Sequence, residues 1–212
     1  VPLESLLSAR RREGDAVEFE VSEDWLQGRT SFGGLIAVFA VQAMRDVAGG
    51  NWPLRALQTN FIGPIGRGVL CVAVQVIREG KNVRQVQATV LKDAQTAPLV
   101  VGVFAAARES SLPELAPKRP PAAVEPDPAK CLPYVPGIAP AFVQHIDFHW
   151  AEGALPSSGG NAWDSRIHLR LRDGEGVDAE LLTVVMADAA PPPPVGRLRV
   201  PQPGRPVSWA RA

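Results

Sequence analysis

The sequence predicts an α+β fold in which one apolar helix is enclosed by an antiparallel sheet. Residues 34–44 contain no charged side chain, which is typical of a helix that is buried on most sides. Four strand-like segments with turn signals between them follow this helix, which indicates an antiparallel meander. A strand-and-helix plan recurs after residue 140, so the chain is expected to hold two such units in tandem.

In the first half, a strand is expected at residues 16–21, before the helix. The strands after the helix are expected at residues 54–61, 69–76, 83–91 and 99–106. In the third of these four, apolar Val83, Val86, Ala88 and Val90 alternate with polar residues, with a slip of one residue near Gln85. Alternation of this kind indicates a sheet with one covered face.

In the second half, strands are expected at residues 143–150 and 162–172, a helix at 178–190 and the opening of a further strand at 207–212. Nine prolines between Pro113 and Pro140 exclude regular helix or central strand there. The expected division is therefore a first unit at residues 1–110, a Pro-rich linker at 111–140 and a second unit at 141–212. The second unit is expected to be truncated, because the strands that would complete it do not follow residue 212.

Composition excludes several classes of function. Lysine and arginine together equal aspartate and glutamate at 22 each, and no basic stripe points to nucleic acid. The two cysteines, Cys71 and Cys131, predict neither a disulfide framework nor a zinc site. No signal peptide and no membrane-spanning run is recognisable, so a cytoplasmic enzyme is expected.

The loop that leads into the first helix ends in the pair Gly33-Gly34. The first N–H groups of a helix lack partners within the helix and carry a partial positive charge. Such groups can receive an anion or a developing oxyanion when glycine allows another group to approach the backbone. From the residues alone, tight packing explains the two glycines equally well.

Three segments taken together resemble a known family. They are Phe32-Gly33-Gly34 with the following helix, then ALQTNFIGPIGRG, then VIREGKNVRQVQATVLKD. Their order resembles the first half of the double-hotdog acyl-CoA thioesterases, which are thioesterase II-like, and the segment DAELLTVVMADAAPPPP resembles the second helix of that family. The resemblance implies two tandem hotdog units, hydrolysis of acyl-CoA without metal or organic cofactor, and a homodimer or higher homo-oligomer.

Candidate site residues follow from position and from this resemblance. Asp188 stands at the end of an apolar helix, where a carboxylate is disfavoured, so it has either a function or a turn role. The resemblance makes Asp188 the catalytic carboxylate and Ser208 the hydroxyl residue on the next strand, while the family's glutamine has no match. Gly33 and Gly34, at the helix entrance, are the candidates to bind the carbonyl oxygen. The resemblance lets Asn60 line the substrate tunnel, and the alternative for Asn60 is an ordinary solvent-facing position.

Other interpretations stay open. His145, Asp147 and His149 share one strand face by their spacing of two, which suits a metal site less well than a solvent-facing or interface stripe. A hotdog hydratase or dehydratase needs a histidine by the helix, and none occurs near residues 34–47 or 178–190. A non-catalytic protein that binds acyl groups or acyl-CoA is the remaining alternative.

Overall fold

The computed structural model describes residues 1–93, 95–109, 111–112, 125, 127, 131–200 and 208–211. Within these residues the first half forms α1 (Leu3–Ser8), β1 (Arg11–Glu13), β2 (Ala16–Val21), β3 (Leu26–Gln27), β4 (Thr30–Ser31), α2 (Gly33–Ala48), β5 (Leu54–Phe61), β6 (Gly68–Glu79), β7 (Val83–Lys92) and β8 (Gln95–Ala105). The second half forms β9 (Ile146–Glu152), β10 (Arg166–Leu171), α3 (Ala179–Ala187) and β11 (Ser208–Arg211).

The main sheet has seven antiparallel strands in the order β1-β2-β6-β7-β8-β5-β11. It wraps around α2, whose first nine residues, from Gly33 to Val41, are all buried. The sheet contributes a row of apolar side chains to the same core, among them Val72, Val86, Val90 and Val100. The predicted α+β architecture is therefore confirmed, and α2 lies at its centre.

The predicted slip in the alternation near Gln85 belongs to the neighbouring strand. Val76 pairs with Val86 and Arg78 pairs with Gln85, so Ile77 is an extra residue in β6. A bulge of this kind bends its own strand and leaves the partner strand regular. As a consequence, β7 alternates without interruption, and Val83 lies on the face opposite Val86.

The second half adds a hairpin, a helix and one strand to this framework. β9 and β10 form the hairpin, and residues 141–145 form a 3-10 turn that begins after Pro140, so the strand predicted from residue 143 begins at Ile146. Helix α3 runs antiparallel to α2, because Glu180 near its start contacts Arg45 near the end of α2. Strand β11 pairs with β5 and extends the main sheet.

The predicted linker at residues 111–140 lies mostly outside the described residues. Within its described part, Cys131 forms an isolated antiparallel β-bridge with His149. The division into units at residues 1–110 and 141–212 therefore stays a prediction. No helix in the described part of the chain is long and apolar enough to cross a membrane.

Candidate active site

The N-terminus of α2 is closely approached from two sides. A Cβ atom placed on Gly33 would lie 2.6 Å from Oδ2 of Asp188 and 2.7 Å from Cζ of Phe61. A Cβ atom placed on Gly34 would lie 2.7 Å from the backbone oxygen of Val185 in α3. The two glycines are therefore required by close packing, and what packs there includes a carboxylate.

Asp188 follows the last residue of α3 and caps that helix. Its carboxylate accepts a hydrogen bond from the backbone N–H of Gly34. Burial raises the pKa of Asp188 to about 6, and the Gly34 N–H offsets only part of that rise. The group is thus a carboxylate at neutral pH whose basicity is well above that of an ordinary aspartate, which suits a general base.

The N-terminus of α2 also explains why this carboxylate is tolerated. The N–H of Gly34 is one of the groups that has no partner inside its own helix. The partial positive charge at the start of α2 favours the anion, whereas the end of α3, to which Asp188 belongs, disfavours it. Because the two helices are antiparallel, the start of α2 supplies the compensating donor for the end of α3.

Phe61 and Thr59 were not predicted as site residues, but β5 presents both toward α2. The ring of Phe61 packs against Gly33, beside the Asp188 carboxylate. Thr59 is fully buried on the same strand face, and its hydroxyl has no hydrogen-bond partner among the described residues. The alternation in the segment LQTNF was the available signal, since apolar Leu57 shares a face with Thr59 and Phe61.

Asn60 and Ser208 lie elsewhere. Asn60 is on the face of β5 opposite Thr59 and Phe61, so it points away from the helix entrance. Ser208 is the direct cross-strand partner of Asn60 and shares that face, and it is exposed. Of the five predicted site residues, the structure brings together Gly33, Gly34 and Asp188.

The three polar residues at positions 145, 147 and 149 contact different partners and do not converge on one site. His145 stacks on Trp25 with ring centroids 4.3 Å apart, and its Nε2 lies 3.0 Å from Oδ2 of Asp24. Asp147 accepts hydrogen bonds from Arg170 and Arg172 at 2.7 and 2.8 Å. Within the described residues, no group of three histidine, cysteine, aspartate or glutamate side chains is placed to hold a metal ion.

Comparison with known families identifies the region that carries the helix entrance. Residues 21–107 match the model of the acyl-CoA thioesterase N-terminal domain. This segment is therefore similar to that domain. The matched segment includes α2 with Gly33 and Gly34, and strands β3 to β8, whereas Asp188 comes from the second half of the chain.

Solved structures extend the likeness over nearly the whole chain. A conserved protein of unknown function with a hot dog fold from Alicyclobacillus acidocaldarius matches with a TM-score of 0.78 and 18% identity, over 98% of this chain and 76% of that chain. A candidate thioesterase II from Thermobifida fusca matches with a TM-score of 0.74 and 19% identity, over 98% of this chain and 78% of that chain.

A third structure, the acyl-CoA thioesterase II TesB2 from Mycobacterium marinum, matches with a TM-score of 0.63 and 18% identity, over 88% of this chain and 68% of that chain. These likenesses confirm the predicted hotdog fold. No curated protein sequence matches the chain.

Proposed function

We propose that this protein hydrolyses acyl-CoA thioesters, with Asp188 as the general base. The observation that carries the proposal is the carboxylate of Asp188, raised in pKa to about 6 and held by the N–H of Gly34 at the entrance of α2. The match of residues 21–107 to the model of the acyl-CoA thioesterase N-terminal domain supports the choice of substrate.

The reaction follows from the groups at this entrance. The Asp188 carboxylate takes a proton from a water molecule as the water oxygen attacks the thioester carbonyl carbon. Negative charge develops on the carbonyl oxygen, which the N–H groups in the first turn of α2 stabilise, Gly33 first because Gly34 already donates to Asp188. The carbon–sulfur bond then breaks, and the departing thiolate receives the proton from Asp188.

Asp188→Asn tests this assignment, because asparagine preserves shape and cannot accept the proton. The substrates are short-, medium- and long-chain acyl-CoA esters, and a thiol reagent detects the released coenzyme A. We expect kcat to fall about a hundredfold or more, as loss of a general base typically causes. In the parent protein, kcat should rise with pH through about 6, the pKa of Asp188.

The exposed Asp164 provides a matched control. Asp164→Asn makes the same chemical change away from α2, and it should retain parental turnover. If a folded Asp188→Asn variant also turns over acyl-CoA at the parental rate, Asp188 is only the cap of α3.

A second candidate is a protein that binds acyl-CoA without hydrolysing it. The placement of Asn60 and Ser208 on the far face of β5 and β11 favours this alternative, because it leaves Asp188 as the one predicted reactive side chain at the entrance. A rise in melting temperature with acyl-CoA, accompanied by no release of thiol, would identify this case.

A further inference from the structure

A cleft of about 480 Å³ lies beside the entrance of α2, and the proposed hydrolysis does not use it. The residues that matter among those lining it are Arg29 and Thr30 before α2, Gly63 after β5, and Lys92, Asp93 and Ala97 around the turn from β7 to β8. The cleft thus lies where three separate segments of the first half of the chain meet.

Hydrogen bonds fix the segments that form this cleft. The backbone N–H of Ser31 donates to the carbonyl of Ile65 at 2.6 Å, and the N–H of Ile62 donates to the carbonyl of Ala97 at 3.2 Å. The ammonium group of Lys92 donates to the carbonyls of Arg67 and Val69 at 2.9 and 3.2 Å. These bonds tie each wall to the loop at residues 62–67, so the cleft is preformed.

The cleft adjoins the candidate active site along the chain. Thr30 precedes Gly33 by three residues, so their Cα atoms are at most about 11 Å apart. Gly63 follows Phe61 by two residues, which limits that separation to about 7 Å. Two residues that line the cleft thus lie within about 11 Å of residues at the candidate active site.

The charges that line the cleft suit an anion. Arg29 is exposed, and neither Arg29 nor Lys92 has a carboxylate at ion-pair distance in the part of the chain that the structure describes. Lys92 uses two of its three N–H donors on backbone carbonyls and keeps one. The single acidic residue of the lining is Asp93, which is exposed.

We infer that the cleft binds the phosphate groups of the substrate's thiol carrier, with Arg29 and Lys92 as the cationic partners. Arginine and lysine are the side chains that pair with phosphate oxygens most strongly. The inference rests on the proposed function, and it makes the leaving group a phosphorylated thiol, either coenzyme A or its phosphopantetheine portion. Asp93 opposes this anion, so it limits the affinity.

The test compares acyl groups on three thiols, namely coenzyme A, phosphopantetheine and N-acetylcysteamine, which carries no phosphate. Arg29→Ala and Lys92→Met should each lower the ratio of kcat/KM for the coenzyme A ester over the N-acetylcysteamine ester by about tenfold, which corresponds to about 1.4 kcal/mol. Asp93→Asn should raise the same ratio. The phosphopantetheine ester shows whether its single phosphate is enough for the effect.

Arg78→Ala is the matched control, because Arg78 is an exposed arginine about ten residues along β6 from the cleft, roughly 33 Å away. It should leave the ratio at the parental value. Arg29→Ala removes no internal hydrogen bond of the described structure, so it should fold even if Lys92→Met does not.

Two further outcomes separate the inference from the proposed function. If the parent hydrolyses thioesters but Arg29→Ala leaves the ratio unchanged, the cleft is not a phosphate site. If no thioester is hydrolysed, the proposed function fails, and calorimetric titration with free coenzyme A still decides the inference. Binding that Arg29→Ala weakens about tenfold and Asp93→Asn strengthens supports the site, and binding that neither changes overturns it.

Discussion

Arg45 in the last turn of α2 forms a bidentate ion pair with Glu180 in the first turn of α3. Nη2 of Arg45 lies 2.6 and 2.7 Å from the two carboxylate oxygens, and Glu180 also accepts the N–H of Leu54 at 2.8 Å. Each charge complements the dipole of the helix that carries it. This contact fixes one end of the antiparallel helix pair, and the Gly34–Asp188 contact fixes the other.

We predict that the pair couples the two halves of the chain energetically. Both side chains are about one-quarter exposed, 24% for Arg45 and 23% for Glu180, so solvent screens the pair only in part. Glu180→Gln should lower the free energy of unfolding by about 1–3 kcal/mol, because Arg45 then lacks its charged partner. Urea unfolding of both single variants and the double variant measures the coupling.

The exposed pair Arg166–Glu152 is the control for this cycle, with Glu152 56% exposed. Its coupling energy should stay below about 1 kcal/mol, as is usual at a surface. Equal coupling energies for the two pairs would show that Arg45 and Glu180 act as an ordinary surface pair.

A second prediction concerns Gly33. Gly33→Ala introduces a methyl group 2.6 Å from Oδ2 of Asp188 and 2.7 Å from the ring of Phe61. Both are side-chain atoms that can move, so the fold should persist while the carboxylate leaves its position. We expect acyl-CoA turnover to fall at least about tenfold, with a small change in melting temperature.

Gly34→Ala provides the contrast. Its methyl group would meet the backbone oxygen of Val185 at 2.7 Å, and backbone cannot rotate away. We therefore expect a clear fall in melting temperature for Gly34→Ala. If both variants retain full activity and stability, the close approach of α3 to α2 is not required.

The sequence predicted the two ends of this arrangement but not all of its contacts. Local patterns located the glycine pair and the buried helix, and the cost of a carboxylate at a helix end drew attention to Asp188. The face of Ser208 was harder to predict, because it depends on the register between β5 and β11. The pairing of Arg45 with Glu180 joins residues 135 positions apart, and no local signal reports such a contact.

A third prediction concerns self-association. Three apolar side chains of β6 are exposed in the single chain, namely Val69 at 54%, Val76 at 37% and Ile77 at 51%. Covering exposed apolar side chains is favourable, so we expect a dimer by light scattering at micromolar concentration. Ile77→Glu should shift the protein toward the monomer mass of 22.6 kDa. A parent protein that already has this mass would contradict the prediction.

The fourth prediction uses the pH dependence of stability. Burial raises the pKa of Asp188 from 3.8 to about 6, so between these values the folded state binds more protons at this group than the unfolded state. Stability from this group is therefore fully present below about pH 4 and is lost as the pH rises through about 6. This change in pKa lowers the free energy of unfolding at neutral pH by at most about 3 kcal/mol relative to its value below pH 4.

Asp188→Asn removes this titration. Most substitutions destabilise a protein, whereas this one should stabilise it at neutral to alkaline pH. Near pH 8 the variant should be more stable than the parent by about 1–3 kcal/mol, because it no longer buries a charge. Near pH 4 the two proteins should unfold at the same urea concentration, since the parent carboxyl is then largely protonated. A variant that is less stable than the parent at both pH values would mean that the Gly34 hydrogen bond outweighs the cost of burying the carboxylate.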